Sequence, residues 1–156
     1  MLVEVKVKVA RIIDNKTRKR TESCLTDVEI FANAELRVMQ HYSQEQSEGL
    51  IEDYEIQSLR ISPIKEVATQ FNGQFTYVAT LKDIWLDNDG TEKTLKYKVL
   101  LWAEDTADAT SNVLQLARQG YDMLIEGIKQ VDWIYLKEEE NGERESEEAG
   151  GEGGQS

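Results

Sequence analysis

One cysteine, one histidine and one proline occur in 156 residues, and each scarcity excludes something. Cys24 by itself forms no intramolecular disulfide and rules out every multi-cysteine metal site. With His41 as the sole imidazole, a zinc centre is not expected either. The closely spaced glycines that wrap a phosphate are missing, since neither GxGxxG nor GxxxxGK occurs; nor is there a GxSxG for a serine nucleophile. No apolar run approaches the ~20 residues of a membrane span. The opening MLVEVKVKVARII alternates charged with aliphatic residues, unlike a signal or transit peptide. The expectation is a cytoplasmic protein, away from membranes, that takes no cofactor, binds no metal and has no catalytic residues.

What is abundant is acid. The chain holds 18 basic and 30 acidic residues, for a net charge of −12. Residues 137–156 contribute two basic and eight acidic side chains, so half of that charge sits in the last 20 residues. A body this acidic does not hold nucleic acid through bulk charge and needs a local basic patch.

Two kinds of period run along the rest. Val3, Val5, Val7 and Val9 alternate with Glu4, Lys6 and Lys8, the mark of a half-buried strand, until Ile12 and Ile13 break the alternation after Arg11. Such a slip suggests a bulge. After the turn DNKTRKR, Cys24, Thr26, Val28 and Ile30 alternate again, which predicts an antiparallel hairpin. A helix is expected over 32–46 with Leu36, Met39 and Tyr42 or Ser43 inward, then strand character from Leu50 to Ser62, before Pro63.

The second half follows the same order. Phe75, Tyr77, Ala79 and Leu81 alternate, Asp83 precedes the adjacent Ile84 and Trp85, and DNDG supplies a hairpin turn. A strand with Leu95, Tyr97, Val99, Leu101 and Ala103 on one face leads to a helix over 105–119, capped by Asp105 or Thr106. A last strand region runs through YDMLIEGIKQVDWIYL. With one extra residue in the second hairpin turn, Val3 falls on Phe75, Cys24 on Tyr97, and FANAEL on the helix start in EDTADA. The fold class expected is α+β: two tandem ββαβ units with antiparallel sheets, residues 1–68 and 73–136, packed as one globular domain. TQFN (69–72) joins them, and 137–156 is a disordered acidic tail of eight glutamates and five glycines.

VEVKVKV, the junction FANAEL and above all DYEIQSLRISPIKEV (53–67) carry a resemblance to a family. The chain resembles an uncharacterised domain-of-unknown-function family of Bacteroidetes-type bacteria and their phages. The resemblance implies a shared fold; no active site is established for the family, so no functional residue carries over.

Other candidate sites are weak. His41 with Glu45 one turn on makes a conceivable base–carboxylate pair, although an exposed helix histidine explains the spacing far better. DNDGTE fails as a calcium loop, because Trp85 stands at the first ligand position. Asp27, Asp83 and Asp132 make an enzyme only if the fold gathers them.

Two features remain. KTRKR (16–20), with Lys6, Lys8 and Arg11 on the adjoining strand, concentrates charge of one sign at a hairpin tip. Lys16, Arg18, Lys19, Arg20, Lys6 and Lys8 are therefore the candidate contacts to the phosphates of a single-stranded nucleic acid, unless they only solvate the tip. The acidic tail either solubilises the chain, mimics nucleic acid for the protein's own basic surface, or meets a basic protein partner. The best reading from sequence is a non-catalytic nucleic-acid-associated accessory protein with a regulatory tail. The alternative is a protein-interaction module or inhibitor that uses an acidic surface.

Overall fold

The computed structural model describes residues 1–117 and 123–137. The chain is α+β: the described residues form eight strands in two mostly antiparallel sheets and two helices. Of the expected tail over 137–156, residues 138–156 lie outside the described residues.

Strand β1 (Leu2–Ile13) turns into β2 (Lys16–Asp27) through Asp14 and Asn15. Both turn residues have positive φ, 53° and 64°, which fits the two-residue turn that matches strand twist. Pairing from Leu2↔Asp27 to Ile13↔Lys16 is unbroken, so Lys16–Arg20 lie within β2 instead of forming a hairpin tip. Helix α1 (Ala32–Ser47), β3 (Ile51–Ile61) and β4 (Ile64–Val67) follow. The order then recurs as β5 (Phe75–Leu86), β6 (Glu92–Ala103), α2 (Thr106–Ala117), β7 (Met123–Val131) and β8 (Ile134–Leu136). At the start of α2, the Asp108 N–H donates to Asp105 Oδ1 at 2.8 Å and the Glu104 N–H to Asp108 Oδ2 at 3.0 Å. Reciprocal bonds of this kind satisfy donors that a helix end otherwise leaves free.

The sheet orders are β3-β1-β2-β8 and β4-β6-β5-β7. Each half therefore gives its final short strand to the other half's sheet, where β8 runs parallel to β2 and β4 parallel to β6. The ββαβ expectation missed these fourth strands, because IKEV and IYL are too short to announce themselves by period. A seam of Leu25, Ile64, Val78 and Leu100 joins the two sheets, with Trp102, Trp133 and Tyr135 packed against it. Leu25 and Leu100 are fully buried, and each such side chain is worth roughly 1.5–3 kcal/mol of burial.

The helices cover the outer faces. Val3, Val5, Val7, Val9 and Cys24 pack with Ala34, Val38 and Tyr42 of α1. Tyr77, Ala79, Leu81, Val99 and Leu101 pack with Ala109 and Val113 of α2. The inward stripe of α1 is thus Ala34, Val38 and Tyr42, and the expected Leu36 and Met39 are exposed. Positions four apart share one helix face, so Ala34, Val38 and Tyr42 line up inward while Leu36, two residues from Ala34, falls on the far side.

The halves correspond in a register two residues away from the expected one. Val5 pairs with Cys24 and Leu59, and Ala79 pairs with Val99 and Ile128. The neighbouring register shifts, Lys6/Val7 and Thr80/Leu81, then coincide. Cys24 accordingly matches Val99, not Tyr97, which takes the place of Glu22. A two-residue slide keeps every side chain on its original face, so alternation could not reveal it. The slip read at Arg11 does coincide with a register shift between β1 and β3.

Candidate nucleic-acid interface

Beneath α1, the first sheet buries a charged network. Glu22 is 7% exposed and accepts Arg11 Nε–H at 2.8 Å, Arg11 Nη2–H at 2.9 Å and Arg20 Nε–H at 2.8 Å. Tyr42 donates to the same carboxylate at 2.7 Å, and Arg11 reaches Glu45 at 3.0 Å. Burial pushes the Glu22 carboxyl up, but the bonds from Arg11, Tyr42 and Arg20 outweigh it and hold the group at about 2. The same pairing with Glu22 raises the Arg11 guanidinium. Burial raises Tyr42, and pushes the Cys24 thiol, 3.4 Å from the phenol oxygen, up to about 11. The carboxylate stays ionised and saturated while the phenol and thiol stay neutral, so the network clamps β1, β2 and α1 and offers no free base or nucleophile.

His41 lies 3.8 Å from Glu45 and edge-on to Tyr42, and its Nε2 has no hydrogen-bond partner among the described residues. The three aspartates stay apart: Asp27 holds the N-terminal ammonium at 3.2 Å, Asp132 lines a cleft of about 560 Å³ with Arg11 and Arg20, and Asp83 pairs across β5–β6 with Leu95. Among the described residues no group of three or more His, Cys, Asp and Glu side chains could hold a metal ion.

Strand alternation separates the six candidate cations. Lys16 and Arg20 oppose Ile13 and Val9 on the side covered by α1, and Arg18 opposes Arg11 on the same side. Arg20 is engaged there by Glu22. Lys6, Lys8 and Lys19 are exposed on the opposite, helix-free face. Their acidic neighbours on β3 are Glu55, opposite Lys8, and Asp53, opposite Ala10.

The equivalent face of the second sheet is more basic. Lys82 and Lys96 oppose each other across β5–β6, Lys98 opposes Thr80, and Lys129 opposes Val78 from β7. The acid among them is Glu126, 3.3 Å from Lys96 and 3.9 Å from Lys82. Lys98 and Lys129 are exposed and have no ion pair among the described residues. The sequence reading overlooked these four lysines because they lie on three strands; the one signal was the Lys96–Lys98 alternation in LKYKV. Along β6 the same face leads to Trp102, whose ring lies 5.8 Å from that of Tyr135. Trp85, next to the slip in the second half's first strand, is 45% exposed.

A family model described as Domain of unknown function (DUF4494) matches residues 1–139. The chain belongs to that family, whose function is not established. No curated protein and no solved structure matches. Among the described residues no helix is long and apolar enough to cross a membrane.

Proposed function

We propose that the protein is a non-catalytic nucleic-acid-associated accessory protein of the cytoplasm, and that it holds single strands against the helix-free faces of its sheets. One observation carries this reading. In a chain of net charge −12, Lys6, Lys8, Lys19, Lys82, Lys96, Lys98 and Lys129 all lie on the sheet faces that the helices leave open. An open sheet face with cations to track a backbone suits a flexible single strand better than a rigid duplex. Of the original candidates, Lys6, Lys8 and Lys19 stay in the binding set, while Lys16, Arg18 and Arg20 face the helix side.

The test is fluorescence anisotropy of labelled single-stranded DNA and RNA against the full chain. Binding that weakens steeply as salt rises, and fails on charge reversal of Lys96 and Lys98, supports the reading. No binding at about 50 mM salt, where phosphate contacts are still strong, sinks it.

A second reading rests on α1. Ile30, Phe31, Leu36 and Met39 are exposed around its first turns, beside Glu29 and Glu35. An apolar patch edged with acid suits a basic protein partner. This interaction-module reading leads if nucleic-acid binding fails.

A further inference from the structure

We infer that residues 138–156 dock on the lysine face of the second sheet and compete there with nucleic acid; this rests on the proposed function only for the identity of the competitor. The segment carries eight glutamates. Lys137, where the described chain ends, borders a cavity of about 270 Å³ together with Trp102, Tyr135 and Phe71. Trp102 stands on the helix-free side of β6, opposite Thr76. At ~3.4 Å per residue, Lys98 lies about 14 Å and Lys96 about 20 Å further along the same strand. Residues 138–156, extended, reach on the order of 60 Å, so the distance is no obstacle.

Charge selects the second sheet over the first. The first sheet's open face already holds acids: Glu4 binds Arg60 at 2.7 Å, and Glu55 and Asp53 lie beside Lys8 and Ala10. On the second, Glu126 occupies Lys82 and Lys96 and leaves Lys98 and Lys129 unpaired among the described residues. A tethered glutamate segment meets these lysines at an effective concentration of the order of millimolar, so weak contacts suffice to occupy them. Phosphates and glutamates would seek the same ammonium groups, which makes occupancy exclusive.

The experiment places a spin label on the full chain at Gly150→Cys, with Cys24 buried and out of reach of the reagent. At about 0.01 M salt, where screening extends over ~30 Å, the amide signals of Lys96, Lys98 and Lys129 should broaden more than those of Lys6, Lys8 and Lys19. At about 1 M salt, with a screening length of ~3 Å, the difference should vanish. Equal broadening of both faces, or none at the second, overturns the docking whether or not nucleic acid binds. In parallel, replacing all eight glutamates with glutamine should tighten single-strand binding by about tenfold at low salt and leave it unchanged at high salt. Unaltered affinity overturns the competition. Should neither form bind single strands, the proposed function fails, and the docking stands or falls on the broadening.

Discussion

Ile134 lies beside Cys24 in the first sheet, just as Glu66 lies beside Val99 in the second. Each pair joins opposite halves of the chain, and each closes a sheet that its own half leaves one strand short. Neither sheet is complete without a strand from the other half, so the two should not unfold separately. Urea denaturation followed by tryptophan fluorescence and by far-ultraviolet circular dichroism should give coincident single transitions. Leu25→Ala, which empties the seam, should lower stability by about 2–5 kcal/mol and keep the transitions coincident. Two resolved transitions would show that the sheets fold independently.

Glu22 ties the first sheet to α1, and its titration should be visible in stability. Its carboxyl sits at about 2 in the folded protein against an ordinary value of 4.5. A carboxyl that binds its proton less readily when folded stabilises fully above the ordinary value. That contribution is lost as pH falls through 4.5 toward about 2. Glu22→Gln should cost about 3 kcal/mol at neutral pH, because Arg11 loses its buried partner. Thermal melts from pH 7 downward should show the variant losing less stability to acid than the parent; parallel curves would refute the assignment.

Gly73 marks the entry to β5. A Cβ built there would lie 2.3 Å from the Ala103 backbone carbonyl carbon, whereas one at Gly127 would meet nothing within 4 Å. Gly73→Ala should therefore cost about 1–3 kcal/mol by overpacking against rigid backbone. Gly127→Ala should change stability by at most about 0.5 kcal/mol. Chemical denaturation of the two variants side by side checks the contrast.

Much of this fold is legible in the sequence because alternation and helical spacing are local. The four long hairpin strands, the DNDG turn and the Asp105 cap all follow from neighbours a few residues apart. The exchanged strands do not, since IKEV and IYL acquire their place only through tertiary pairing with β6 and β2. Even the relation between the halves was read two residues out, for a slide that keeps every side chain on its face costs the pattern nothing. The basic run misled for the same reason in reverse: five residues contiguous in sequence, once on a strand, divide between two faces. The lysines of the second sheet were dispersed over β5, β6 and β7, and only the fold brings them together.

The most direct measurement compares the salt dependence of single-strand binding after removing cations from one side or the other. Replacing Lys82, Lys96, Lys98 and Lys129 with alanine should flatten the slope of log affinity against log salt by up to about three units, at ~0.7 per phosphate contact. Replacing Lys16 and Arg18 should leave that slope within error of the parent. A slope unchanged by the first set, or reduced as much by the second, would contradict binding through the helix-free faces.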